Sequence, residues 1–259
     1  MPPRPLTSLS PSAAGVVGRL AAAGCVAAEE EAAELLAAAA DGVTLENWVR
    51  RREQGEPLAW LTGTTRFCGH EVGVDPGVYV PRPQSEELAR RAALLLPDGG
   101  RAADLCTGSG AVAFHLSAKV PGATVVGADI DRRAVRCARG NGVRAVLGDL
   151  GGPLRPGAFD VVTAVAPYVP TGALRTLPAD VLRYEPRRAL DGGPDGLDLV
   201  RRVVAGAGVL LRPGGWLLLE VGGDQDAALC HDLAAAGFGP ATTWCDEDGD
   251  LRGLAARAG

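Results

Sequence analysis

The sequence predicts an α/β protein whose seven-stranded, mostly parallel sheet follows a small helical region and a linking β-hairpin. From residue 101 onward, short apolar runs typical of buried strands alternate with segments of helical length. A Gly-rich turn follows the first of these runs directly. Ahead of them, the N-terminal part is Ala-rich and has only narrow apolar stripes at helical spacing. We therefore predict a helical domain over 1–63, a hairpin linker over 64–80 and an α/β domain over 81–259.

The N-terminal elements follow from capping and turn residues. Thr44 is expected to cap a helix that carries Leu45, Trp48 and Val49, and Ser85 to cap a later one. Gly69-His70 joins two extended runs, which predicts a hairpin. The other predicted boundaries are helices over 12–23, 27–40 and 86–96, and extended pieces over 65–68 and 71–74.

Strands and helices are expected to alternate through the α/β domain. The last strand is expected to lie antiparallel at an edge of the otherwise parallel sheet. The segment 166–193 is rich in Pro and Gly and too long for a simple connection, which predicts a functional loop. The predicted strands are 101–105, 124–129, 144–147, 159–165, 216–221, 239–245 and 251–256, and the predicted helices are 111–118, 131–139, 196–209 and 225–236.

Composition excludes several classes of protein. The net charge of -5 argues against a general nucleic-acid binder or a protein of anionic membrane surfaces. The six cysteines form no Cys-x-x-Cys pair and the three histidines are dispersed, so no metal site is expected. No signal peptide and no apolar run of about 18 residues is found, which predicts a soluble, cytoplasmic protein.

The stretch around Gly108 predicts a nucleoside-cofactor site. A buried strand ending at Leu105 turns through Gly108-x-Gly110 into a helix, and this arrangement brings backbone N–H groups close to a ligand. The next strand ends in Asp129, about 20 residues further on, where a carboxylate can bind both ribose hydroxyls.

Three carboxylates decide which cofactor is expected. The pattern Gly108-x-Gly110-x-x-Ala113 also fits a relaxed dinucleotide fingerprint. However, Asp104, Asp129 and Asp149 end or follow successive strands, and a pyrophosphate would be repelled by Asp104. S-adenosylmethionine carries a sulfonium and an ammonium group, so an acidic pocket suits it. Asp104 would then face the methionine amine, Asp129 the ribose and Asp149 the adenine amino group. The alternative is that the three acids only cap the helices that follow.

Several short segments of the chain are typical of one family. They are Pro57-Leu-Ala-Trp-Leu-Thr-Gly63, Pro81-Arg-Pro-Gln-Ser-Glu86, Asp104-Leu-Cys-Thr-Gly-Ser-Gly110, Ala166-Pro-Tyr168, Tyr184-Glu-Pro-Arg-Arg-Ala-Leu-Asp-Gly-Gly193, Asp195-Gly-Leu197, Pro213-Gly-Gly215 and Glu220-Val-Gly222. In these segments the chain resembles the HemK-type protein glutamine methyltransferases, which methylate the glutamine of the Gly-Gly-Gln tripeptide in peptide-chain release factors. The resemblance implies a class I S-adenosylmethionine-dependent methyltransferase fold, a release factor as protein partner, and a monomer that binds neither nucleic acid nor membrane. The implied cofactor-binding residues are Asp104, Cys106, Thr107, Gly108, Gly110, Asp129, Ile130, Asp149 and Leu150, and Arg82 is implied beside the acceptor.

One departure affects the acceptor site. The family has Asn-Pro-Pro-Tyr where this chain has Val165-Ala166-Pro167-Tyr168. In the family the Asn amide holds the substrate amide, and Val165 cannot. The missing hydrogen bond is expected to cost about 1–3 kcal/mol, or roughly one to two decades in rate. The Ala166 carbonyl is left to accept an N–H of the acceptor, Pro167 to fix the direction of that carbonyl and Tyr168 to pack on the acceptor.

Three alternatives stay open from the sequence. The first is a methyltransferase retuned to another acceptor, because Val165 makes the pocket more apolar. The second is a catalytically silent paralogue that only binds cofactor or partner. The third, a nicotinamide oxidoreductase, is disfavoured by the carboxylates and by the Ala166-Pro-Tyr168 segment.

Overall fold

The N-terminal part is a cluster of short helices. The computed structural model describes residues 12–259, apart from the side chain of Ala179. Ser12 caps the first helix by accepting from Gly15 N. The third helix is capped by Asp41, which accepts from Thr44 N, so the prediction of a Thr44 cap is wrong; a carboxylate one turn earlier takes that role. The helices are α1 (Ala13–Ala22), α2 (Ala28–Ala38), α3 (Gly42–Glu53) and the unpredicted α4 (Leu58–Thr62).

These helices enclose their own small core. Val16, Leu20, Leu35 and Val49 are fully buried there. Ion pairs on the rim join helices that are distant in sequence, as where Arg52 pairs with Glu31 at 2.6 Å. A core made of Val, Leu and Ala alone is small, so the neighbouring elements must supply further contacts.

The β-hairpin consists of β1 (Thr64–Phe67) and β2 (His70–Gly73). Its turn residues are Cys68 and Gly69, with φ of 49° and 77°, and not Gly69-His70 as predicted. His70 pairs with Phe67 as part of the second strand. Phe67 and Val72 pack into one core of the α/β part.

A seven-stranded sheet forms the α/β part, in the order β5-β4-β3-β6-β7-β9-β8. The strands β3 to β7 run parallel, and β9 is antiparallel to both of its neighbours. The predicted antiparallel edge strand is wrong in position, because β9 inserts between β7 and β8 and leaves β8 at the edge. The strands are β3 (Arg101–Leu105), β4 (Thr124–Asp129), β5 (Ala145–Leu147), β6 (Phe159–Ala164), β7 (Leu211–Glu220), β8 (Thr242–Cys245) and β9 (Leu251–Arg257).

Helices cover both faces of this sheet and leave a separate hydrophobic core on each. Ser85 does not cap α5: its side chain makes no capping hydrogen bond and is buried, at the end of a short 3₁₀ turn. The predicted loop 166–193 contains two 3₁₀ turns, Thr171–Thr176 and Arg187–Ala189, and a short helix. The helices are α5 (Glu86–Leu95), α6 (Ala111–Lys119), α7 (Arg132–Gly140), α8 (Ala179–Tyr184), α9 (Asp198–Leu210) and α10 (Gln225–Ala235). Within 12–259, no helix has both the length and the apolar character needed to cross a membrane.

Trp60 connects the helical cluster to the segment that leads to the sheet. Its indole N–H donates to the Val78 carbonyl at 3.0 Å, and its ring meets the edge of Tyr184 with centroids 6.4 Å apart. Replacing Trp60 by Phe keeps most of the packing but leaves a buried carbonyl unpaired, so we expect a loss of about 1–3 kcal/mol in the free energy of unfolding. Urea titration of both proteins measures it; equal midpoints would contradict a structural role for this bond.

Candidate functional site

The Gly-rich turn lies where β3 meets α6, at the carboxyl edge of the parallel strands. Gly108 and Gly110 have φ of 56° and 83°, and Cys106 adopts a positive φ as well. A Cβ on Gly110 would lie 3.0 Å from side-chain atoms of Ala138 and Val143, so only glycine lets α6 begin this close to α7. The turn therefore combines an unusual backbone with tight packing behind it.

Asp129, the last residue of β4, ties this turn to the adjacent strand. One carboxylate oxygen accepts from Gly108 N at 2.9 Å, and the other accepts from Asp131 N at 2.8 Å. Burial raises the pKa of the Asp129 carboxyl, and these hydrogen bonds oppose that shift. Each oxygen keeps a free lone pair, so the carboxylate can still receive two hydroxyl donors from a ribose.

Asp104 is buried and held by two hydroxyl groups. Thr107 Oγ1 donates to one of its oxygens at 2.6 Å, and Thr163 Oγ1 donates to the other at 2.7 Å. Thr163 lies opposite Asp104 in the β3–β6 register, and Gly127 faces Asp104 from β4, where a Cβ would collide with the Thr107 side chain. The sequence analysis missed Thr163, because its role depends on its register opposite Asp104.

Two adjoining cavities open beside the turn, with volumes of about 120 and 40 Å³. They share four wall residues: Tyr79, Cys106, Gly108 and Val165. Further walls of the larger cavity include Asp129, Ile130, Asp131, Pro167, Pro186 and Arg188; those of the smaller include Phe67, Pro81, Ser85, Asp104, Thr107 and Ser109. Six of the nine cofactor-binding residues predicted from the sequence therefore lie in the walls of these two cavities.

Asp149 and Leu150 are not among the walls of these cavities. Asp149 is exposed just beyond β5, and its carboxylate pairs with Arg202 at 2.6 Å. Leu150 has a φ of 50° and packs against the core on that face of the sheet. A contact of either residue with adenine thus remains a prediction.

The segment Val165-Ala166-Pro167-Tyr168 leaves the end of β6 and passes along this space. Val165 and Pro167 line the cavities, whereas Ala166 is buried. Tyr168 lies on the wall of a different cavity of about 480 Å³, and its hydroxyl donates to Glu220 Oε1 at 2.9 Å. The buried carboxylate at the end of β7 thus holds the hydroxyl, and the packing of the Tyr168 ring on an acceptor remains a prediction.

Contacts on the backbone hold this segment from behind. The Tyr168 carbonyl accepts from Gln225 Nε2 at 2.9 Å. A Cβ on Gly192 would lie 2.7 Å from the Pro167 carbonyl oxygen, and one on Gly196 would overlap the Tyr168 carbonyl. Only glycine fits at these two positions. Residues 192–196 can therefore pass close to the backbone of the segment and fix its direction.

Arg82 and Glu185 form an ion pair above the cavities. Arg82 was expected beside the acceptor, and its guanidinium carbon lies 5.0 Å from the centroid of the Tyr79 ring. The Glu185 side chain is 2% exposed, and its burial raises the pKa of the carboxyl while the charge of Arg82 opposes that shift. Tyr79 and Glu185 were both missed as site residues from the sequence.

The side chains around the cavities fit a positively charged nucleoside cofactor. Asp104 lines the smaller cavity and Asp129 the larger one, and the basic wall residue Arg188 lies 3.6 Å from the carboxylate of Asp131. S-adenosylmethionine would be held by Asp129 at its ribose and by the acidic end near Asp104 at its methionine part. In the part of the chain that the structure describes, no group of three or more metal-ligating side chains is found.

The affinity for such a cation is expected to depend on pH through Asp104. Burial raises the pKa of this carboxyl to about 6, so it is largely protonated below that pH. The folded state holds this proton more tightly than the unfolded chain. The free energy of unfolding of the cofactor-free protein therefore falls as pH rises from 3.8 to about 6. A cation favours the ionised form, so the dissociation constant should fall up to about tenfold between pH 5 and pH 7. Calorimetry between pH 5 and pH 7 measures this dissociation constant. The same pH dependence in Asp104→Asn would show that Asp104 does not cause it.

The fold and the site together define a class I methyltransferase. A methyltransferase-domain family model matches residues 103–171, which span the Gly-rich turn, Asp129 and the Val165–Tyr168 segment. The solved T. thermophilus 16S rRNA N2 G1207 methyltransferase, in complex with AdoMet and guanosine, has the same fold. It is 22% identical, its alignment covers 76% of this chain and 44% of its own, and the TM-score is 0.53.

The chain belongs to the release factor glutamine methyltransferase family. The release factor glutamine methyltransferase of Geobacter sulfurreducens is 38% identical over 82% of this chain and 76% of its own length. That of Moorella thermoacetica is 43% identical over 73% and 69%. Another relative has a different printed activity: the 4-amino-L-phenylalanine/4-methylamino-L-phenylalanine methyltransferase of Streptomyces pristinaespiralis, 39% identical over 74% and 70%.

Proposed function

We propose that this protein transfers a methyl group from S-adenosylmethionine to the side-chain amide nitrogen of a protein glutamine, in the Gly-Gly-Gln tripeptide of a release factor. The observation that carries the proposal is the acid-lined space at the carboxyl edge of the sheet, along which Val165, Ala166 and Pro167 pass. The relatives from Geobacter and Moorella support the same acceptor.

Orientation of the acceptor is the main task of the protein in this reaction. When bound, S-adenosylmethionine supplies an electrophilic methyl group on a sulfonium. An amide nitrogen is a weak nucleophile because its lone pair is delocalised, so it must be held in line with that methyl group. The Ala166 carbonyl can accept one N–H of the amide and raise the electron density on the nitrogen. The amide proton becomes acidic only as the new N–C bond forms, so no base is needed beforehand.

Val165 removes one means of holding the acceptor. It cannot donate to the carbonyl oxygen of glutamine or accept its second N–H. We expect the protein to work, but more slowly than a relative with a hydrogen-bonding side chain here, by roughly one to two decades. The rigid backing of the Val165–Tyr168 segment by Gly192, Gly196 and Gln225 partly offsets this loss.

Labelled S-adenosylmethionine tests the proposal. The protein is incubated with a release factor and, in parallel, with the same release factor carrying Gln→Ala in the tripeptide. Label in the first protein alone supports glutamine methylation. Label in neither, together with cofactor binding measured by calorimetry, would contradict the proposal and favour a protein that binds without transfer.

A second candidate acceptor is the amino group of a small aromatic compound. Val165 gives the shared wall of the cavities an apolar surface beside the ring of Tyr79, which suits an aromatic ring better than a polar amide. The Streptomyces relative, named for an aminophenylalanine, favours the same class. Assays with 4-aminophenylalanine in place of the release factor separate the two: transfer to this compound alone would favour the second candidate.

The remaining expectations concern partners and location. We propose that the protein acts as a monomer in the cytoplasm and reaches its acceptor through a protein partner, without a separate nucleic-acid or membrane contact. The net charge of -5 supports this. Light scattering at micromolar concentration tests the monomer.

A further inference from the structure

Tyr79 occupies the wall that the two cavities share. It precedes the 3₁₀ turn Pro83–Ser85 and lines both spaces together with Val165 and Gly108. Its side chain is half-buried. It is therefore an aromatic hydroxyl at the same wall as the valine that cannot hold an amide.

Neighbouring charges fix the orientation of this ring. The Arg82 guanidinium stacks over it, with Cζ 5.0 Å from the ring centroid, and Arg82 is itself paired with the buried Glu185. Burial raises the pKa of Tyr79, so its phenol stays protonated and keeps a hydrogen to donate at neutral pH. The positive charge of Arg82 beside the phenol makes the O–H a stronger donor.

We propose that the Tyr79 hydroxyl donates a hydrogen bond to the carbonyl oxygen of the acceptor amide. It thereby supplies, from the wall that it shares with Val165, the donor that the Val165 position lacks. The Ala166 carbonyl accepts an N–H of the same amide, so the acceptor is held at both ends of its N–C=O group. This role rests on the proposed function, because it requires an amide acceptor.

The role makes Tyr79 a determinant of specificity. An amide has a carbonyl oxygen next to the reacting nitrogen and can receive the Tyr79 hydrogen bond. An aromatic amine has no such oxygen and gains only contact with the ring. Removal of the hydroxyl should therefore slow transfer to an amide and leave transfer to an aromatic amine unchanged.

The test compares Tyr79→Phe with Tyr184→Phe as the matched control. The Tyr184 hydroxyl donates to the Gln54 carbonyl at 3.2 Å, outside the walls of both cavities. With a release factor as acceptor, kcat/KM is expected to fall about tenfold in Tyr79→Phe and to stay within about twofold in Tyr184→Phe. The dissociation constant for S-adenosylmethionine should be unchanged in both. Adding Val165→Asn to Tyr79→Phe should restore most of the lost rate, because the Asn amide can donate to the same oxygen.

Three outcomes would overturn the assignment. Undiminished kcat/KM in Tyr79→Phe overturns the role of Tyr79 while glutamine methylation stands. A parallel loss of cofactor affinity assigns the hydroxyl to the cofactor instead. Absence of transfer to glutamine by the unaltered protein overturns the proposed function, and the role of Tyr79 with it.

Discussion

Replacement of Asp129 by Ala is expected to weaken S-adenosylmethionine binding about a hundredfold. The variant loses the hydrogen bonds that the carboxylate accepts from the ribose hydroxyls, worth about 1.5–3 kcal/mol each. Every 1.4 kcal/mol changes the affinity tenfold. The substitution also leaves the backbone N–H groups of Gly108 and Asp131 without their acceptor, which lies 2.9 and 2.8 Å from them in the unaltered protein. Isothermal calorimetry measures the change directly.

Two further variants separate these effects. Asp129→Asn keeps an oxygen for one backbone N–H but loses the charge, so an intermediate affinity is expected. Asp98→Ala, in the turn before β3 at the opposite end of the sheet, serves as the control and should bind normally. Unaltered affinity in Asp129→Ala would show that the carboxylate does not contact the ribose.

Replacement of Val165 by Asn is expected to raise the rate of glutamine methylation about ten- to a hundredfold. The Asn amide would both accept an N–H and donate to the carbonyl oxygen of the acceptor, which restores about 1–3 kcal/mol of orientation. The side chains have similar size, and Val165 already lines the cavities, so the change adds polar groups where a ligand can use them. Single-turnover assays with a release factor measure the chemical step.

A matched Val→Asn change on the exposed face of α9, at Val209, should leave the rate unaltered. A decrease in Val165→Asn, together with an undisturbed cofactor affinity, would mean that the acceptor is not a primary amide. If the rate of methyl transfer to 4-aminophenylalanine also falls in Val165→Asn, the acceptor would then be the aromatic amine.

The sequence predicts the parallel strands unevenly, and β7 begins at Leu211 and not at residue 216 as predicted. The ranges 101–105 and 124–129 coincide with β3 and β4, each a short apolar run ended by a polar residue or a turn. The position of β9 was not predictable in this way. Its position between β7 and β8 depends on pairing across the sheet, and such pairing gives no local signal in the sequence.

The site is predictable where the backbone itself forms it. The turn at Gly108 and Gly110 and the strand-ending Asp129 were predicted because such a turn and carboxylate have a fixed spacing. Thr163 escaped because its role depends on its register opposite Asp104. Tyr79, one of three tyrosines in the chain, escaped because its place beside Val165 depends on how the linker folds back over the sheet.

Glutamine methylation by this protein can be measured in cells. Mass spectrometry compares the Gly-Gly-Gln tripeptide of the release factor from cells with and without the gene. We expect one additional methyl group on the glutamine nitrogen only in cells that contain the protein. An equal extent of methylation in both, with no other methyltransferase acting on that residue, would show that the protein does not methylate this glutamine.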